Sequence, residues 1–186
     1  MQGVVVVRSD ARENRERILA VARQAFAENG AASMNQIAQL AGVGPGTLYR
    51  HYPSREALVL AVYQLEVERL VESAPRLLDE LPPREALRGW TTDLVAVMRA
   101  KHGLGDALTP AARQSVTDQT YGPVIAAITR LMDAGKRDGS IRPDADPGDF
   151  LQLTGALWRA PEGRTQPLLG LLLDGLTAPG AGEAAR

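Results

Sequence analysis

Cysteine is absent from the 186 residues, and only two histidines are present. The first absence excludes a disulfide scaffold, a thiolate metal site and a cysteine nucleophile, and it fits a reducing compartment. With two histidines far apart, metal ligation would have to rest on carboxylates, and neither HExxH nor EF-hand spacing occurs. No GxSxG appears. The series Gly42, Gly44, Gly46 fails as a dinucleotide loop, because Thr47 stands where the third glycine of GxGxxG belongs and helical patterning precedes it. Gly135-Lys136 is followed by Arg137, so the phosphate-loop lysine motif fails as well. These gaps predict no catalysis, no cofactor and no metal. Long apolar runs are missing too. The longest, residues 168–176, carries Gly170, Asp174 and Gly175 and falls far short of the ~20 residues of a membrane span. Residues 4–7 are fewer than the roughly 7–15 of a signal-peptide core. A soluble, cytoplasmic chain without a membrane partner is expected.

What is present is ordinary in bulk: 45% hydrophobic and 23% charged residues, enough for one domain or two small ones. The charge is unevenly placed. Residues 1–60 hold seven Arg, no Lys and five acids, net +2, against 14 basic and 17 acidic residues in the remainder, net −3, which together give the formal −1. The first third alone has a mild preference for a polyanion.

Little reads as strand. Residues 4–7 form the one β-branched run, and elsewhere apolar residues recur at helical spacing. Ile18, Val21, Ala22, Ala25 and Phe26 give a first stripe, opened by Asp10 with Glu13 and closed by Gly30. Ser33 with Gln36 is a capping box ahead of Ile37, Leu40 and Ala41. Gly44-Pro45 puts a permissive cap before a first-turn proline, and Pro53 stops that short helix by Tyr52. Ser54 caps a longer helix expected to break or bend at Pro75. Further helices are expected from Ala86 to Lys101, near 123–138, near 147–159 and near 163–177, with 103–120 unplaced. The fold class is therefore all-α.

Residues 33–56 read SMNQIAQLAGVGPGTLYRHYPSRE, a helix, a tight turn and a second short helix. The second helix uses Leu48 and Tyr52 inwardly, leaving Thr47, Tyr49, Arg50 and His51 to hydrogen-bond. So short a helix buries too little to stabilise itself, and its polar face suits the major groove of DNA. Arg8, Arg12, Arg15 and Arg55 flank it as candidate phosphate contacts.

The run IAQLAGVGPGTLYRHYPSREAL resembles the DNA-binding domain of the TetR family of transcriptional repressors, over about residues 10–60. The later stretches PPREALRGW and KHGLGDAL are similar to the ligand-binding half of the SbtR-like subgroup. The resemblance implies a three-helix helix-turn-helix domain over 10–55, a helical effector-binding and dimerisation bundle over 56–178, and flexible termini at 1–9 and 179–186. It implies that Asn35 and Gln36 lie near the groove, that Gly44, Pro45 and Gly46 let the backbone approach a double-stranded operator, that Thr47 and Tyr49 contact bases or phosphates, and that His51 and Arg55 contact phosphates; Arg50 joins this set as a possible base reader. Family members often carry a long polar side chain where Pro45 stands. With no donor there, phosphate contacts and DNA shape are expected to supply much of the specificity.

The second half suggests two partners. PLLGLLLDGL is apolar nearly all round, so a terminal helix there must bury two faces, and a two-fold homodimer through residues 147–177 is the simplest closed solution. Five of the eight aromatic residues lie beyond residue 60. Tyr63, Trp90, Tyr121 and Trp158, with Met98, are candidates for a small-molecule effector pocket, although Trp90, Met98 and Trp158 also fit core stripes. The family analogy implies a repressor released by that effector from a palindromic operator. The competing reading is a helical effector-binding or scaffold protein that no longer binds an operator.

Overall fold

The structure, a computed structural model, describes the backbone of residues 3–103, 108–161 and 163–177, with side chains from residue 13 onward except 102 and 103. Residues 1–2 and 179–186, expected as parts of flexible termini, lie outside the described residues, as do the side chains of Arg8 and Arg12. Eight helices and no strand occur among the described residues: α1 (Gly3–Glu28), α2 (Met34–Leu40), α3 (Pro45–His51), α4 (Arg55–Glu80), α5 (Pro83–Gly103), α6 (Pro110–Arg137), α7 (Pro147–Arg159) and α8 (Thr165–Gly175).

The expected boundaries hold where local chemistry sets them. Ser33 Oγ accepts the Gln36 amide while Gln36 Oε1 accepts the Ser33 amide, a closed capping box at α2. α2 ends in a Schellman turn: Gly42 has φ +65°, its amide bonds the Gln39 carbonyl, and the Val43 amide reaches back to Ala38. Three boundaries differ. α1 begins at Gly3, so residues 4–7 are helical and Asp10 is interior; propagation from an established helix costs little per residue and overrides a weak β preference. α4 passes through Pro75. One residue from the Val71 carbonyl that Pro75 cannot serve, the Leu70 carbonyl accepts Ser73 Oγ (2.8 Å) from within α4 and Trp90 Nε1 (2.7 Å) from α5. α6 starts at Pro110 and passes through Pro123, which places most of 103–120 in a helix.

Two compact units are distinguished. The first is Met1–Leu65 together with Ala100–Val116, the second Glu66–Arg99 together with Thr117–Arg186. In the first, Ile18, Ala22 and Phe26 of α1, Ile37 and Ala38 of α2, Leu48 of α3 and Leu58, Val59 and Val62 of α4 form one buried cluster, joined from far along the chain by Leu108. The Thr109 amide donates to Glu56 Oε1 at 2.8 Å in the same unit. In the second, Trp90 and Leu94 of α5, Ile128, Leu131 and Met132 of α6, Phe150 and Leu157 of α7 and Leu169 and Leu173 of α8 are buried. After α6 the chain turns at Gly139 (φ +79°) and drives Ile141 back onto the helix, its amide on the Gly135 carbonyl. A Cβ at Gly135 would sit 2.6 Å from Ile141 Cδ1, so any other residue there must displace the Ile141 side chain.

Candidate nucleic-acid interface

α3 is seven residues long and is anchored by its inner face. Leu48 is wholly buried and Tyr52, its C-cap, nearly so. Gly44 is the N-cap, its carbonyl accepting the Thr47 and Leu48 amides, and Pro45 occupies the first turn, where a missing N–H leaves nothing unsatisfied. Gly44, Pro45 and Gly46 are exposed. A Cβ at Gly44 or Gly46 would meet nothing within 4 Å, so the chain's own packing does not demand glycine at either position.

Outward, Tyr49 is 47% exposed, Arg50 is exposed, and Thr47 and His51 are half-buried. Arg50 Nε donates to the Gly46 carbonyl at 3.3 Å, folding the side chain back over the bare first turn. Asn35 and Gln36 are exposed at the start of α2, with the Gln36 side chain engaged in the capping box. Arg15 is exposed on α1. Arg55 is different. Its guanidinium lies 5.1 Å from the Phe26 ring centroid, Nη2 donates to the Gly30 carbonyl and Nε to the Ala32 carbonyl at 3.4 Å. These bonds tie the first turn of α4 to the α1–α2 connection, a pairing across more than twenty residues that no local pattern signals.

The comparisons with known proteins fall on the same segments. The model of bacterial regulatory proteins of the tetR family matches residues 18–62, and that of the SbtR-like transcriptional regulator C-terminal domain matches residues 82–178. A TetR transcriptional regulator from Streptomyces coelicolor is 42% identical, covering 89% of this chain and 99% of its own, with a TM-score of 0.76. The chain belongs to the TetR family. A second solved TetR regulator, from Mycobacterium vanbaalenii, is 33% identical with a TM-score of 0.73, covering 92% of this chain and 99% of its own. Among curated proteins, an HTH-type transcriptional regulator of Staphylococcus aureus is 38% identical over 76 residues, 40% of this chain and 41% of the relative. The match thus spans less than half the length of that curated relative. TetR regulators bind DNA and typically dimerise, and the chain is a TetR-family helix-turn-helix transcriptional regulator.

In this TetR-family chain the candidate effector residues are divided between the units. Tyr63 belongs to the first, buried, with the Lys101 ammonium 5.1 Å from its ring centroid. Partial burial lowers the Lys101 pKa from the ordinary lysine value, while the ring face favours the charged form. The other four belong to the second unit: Trp90 is fully buried with its indole N–H on Leu70, Met98 and Trp158 are half-buried, and Tyr121 is 54% exposed. Among the described residues no group of three His, Asp or Glu side chains is placed to hold a metal ion, and no helix is long and apolar enough to cross a membrane.

Proposed function

We propose that this regulator is a homodimeric repressor that binds a palindromic operator and leaves it when a small molecule occupies the second unit. Operator binding is carried by one observation: α3 buries Leu48 completely and turns Tyr49 and Arg50 outward behind a first turn with no side chains at Gly44 and Gly46. That surface admits close backbone approach, and Arg50, Tyr49 and Thr47 with Asn35 are the base or phosphate contacts, His51 and Gln36 supporting them. Arg55 serves by holding α4 to the α1–α2 connection. Pro45 donates no hydrogen bond, so groove shape and phosphates supply much of the specificity.

Dimerisation through α7 and α8 rests on Leu153 and Leu171, 59% and 69% exposed on helices whose opposite faces are buried. Two reading heads related by a two-fold axis require an operator of matching symmetry. Release draws support from half-buried Met98 and Trp158 in the second unit. A full switch needs a ligand that prefers the released state by about 10⁴-fold. The protein acts in the cytoplasm and has no catalytic role.

The test is a gel shift on DNA upstream of its own gene across a salt series. Operator binding gives a complex that survives excess unrelated DNA, with log affinity falling linearly in log salt. No complex at low ionic strength with any fragment of the native locus rejects the proposal.

A further inference from the structure

The guanidinium of Arg99, on α5, is half-buried and gathers four acceptors from about sixty residues away. Nη2 donates to the Leu157 carbonyl (3.2 Å), the Ala160 carbonyl (3.1 Å) and Thr165 Oγ1 (2.6 Å), and Nε to the Trp158 carbonyl (3.4 Å). Leu157 and Trp158 lie in the last turn of α7, Ala160 is its C-cap, and Thr165 opens α8. All belong to the second unit. Among the described residues no carboxylate pairs with this guanidinium.

The acceptors explain the arrangement. A helix leaves its last four carbonyls without intrahelical donors, and they carry partial negative charge. α7 has no left-handed glycine cap; Ala160 is extended and Pro161 follows. A planar cation with several donors meets that need in one step, and its bond to Thr165 carries the same fixture into the next helix. Other ties between α5 and α8 are weaker. Arg84 and Asp174 form an exposed ion pair at 2.7 Å, and Gln166 reaches Thr92 at 3.4 Å. Burial of Leu169 and Leu173 holds α8 down but is non-directional.

The structure assigns to Arg99 a positioning role in assembly: it fixes α7 and α8 relative to one another, and so shapes the apolar face, marked by Leu153 and Leu171, that a second copy of this chain covers. The role rests on the dimer proposed above. None of Arg99's four hydrogen bonds is to Leu153 or Leu171; it acts through the helix ends it holds.

The experiment compares full-length wild type with R99M, R99K and T165V by sedimentation equilibrium and by hydrogen exchange of residues 165–169. R99M raises the dimer dissociation constant by about tenfold or more, because several charge-assisted bonds are lost together. Exchange in α8 quickens, while helix content and exchange in the first unit stay as in wild type, which a general loss of stability would not allow. R99K, with a single ammonium, falls between. An R99M chain that dimerises like wild type overturns the assignment. Should R99M not fold, R99K and T165V decide: both weaken the dimer, and unchanged dimers overturn it. A wild-type chain that is monomeric removes the dimer reading itself, and is recognised before any substitution is made.

Discussion

The two units expose different chemistry to solvent. The first presents Tyr49, Arg50 and His51 on a short helix with bare glycines; the second presents Leu153 and Leu171 on helices packed from behind. One surface suits a hydrated polyanion and the other an apolar copy of itself. Their response to salt should therefore differ in sign: phosphate contacts weaken because added salt reduces the entropy gained when binding releases counterions, whereas apolar burial is held or strengthened. In the proposed dimer, DNA can be lost without loss of the second copy.

That contrast can be broken at either end. Leu171→Asp has the largest expected effect, since burying an unpaired carboxylate against apolar surface costs several kcal/mol and would raise the dimer constant by about 100-fold or more. Sedimentation would show monomers with unchanged helix content, and operator affinity would fall with them. Arg50→Ala leaves the dimer intact and lowers operator affinity by about 10- to 100-fold, with the loss concentrated at particular bases if the side chain reads an edge and spread evenly if it meets phosphate. A gel shift over single-base operator variants separates these outcomes. Gly135→Ala tests the second unit's interior, because the new methyl must displace Ile141; it should destabilise by about 1–3 kcal/mol in denaturant unfolding without changing the contacts of the head.

The smallest effect concerns Glu56. Its pKa is lowered, first by the hydrogen bond from the Thr109 amide. A carboxylate whose pKa falls on folding stabilises the fold above its unfolded pKa and loses that contribution as pH drops through the lowered value. Glu56→Gln should therefore lower the melting temperature slightly at neutral pH, and the two proteins should converge in acid. A difference that persists below the ordinary carboxylate range would show that the ion is not the cause.

The helix-turn-helix was legible because its signals are local: Ser33 with Gln36, Gly42, and Gly44-Pro45 each act within a few residues. The second unit was legible only as periodic apolar stripes. Thr109-Pro110 was a readable helix start, a capping side chain before a first-turn proline, and Thr109 Oγ1 does accept the Ala112 amide at 3.2 Å. The weak periodicity of the following turns hid it. Pro75 read as a break and Pro123 as a helix start, because proline is a poor interior residue, yet α4 and α6 continue through both. Arg55 read only as a candidate phosphate contact, and its tie to the α1–α2 connection, like the bonds of Arg99, was not legible. Their partners are backbone carbonyls, which every residue supplies, so no sequence pattern could point to them.

Leu108 completes the first unit's hydrophobic cluster from more than forty residues beyond Val62. During synthesis the reading head must then wait, with a gap in its interior, until well over half the chain has left the ribosome. A fragment ending at residue 65 would carry every proposed DNA contact yet lack that plug and the Thr109–Glu56 bond beside it. Excising the head as a minimal DNA-binding peptide should give a looser, less stable product than its compact sequence motif advertises.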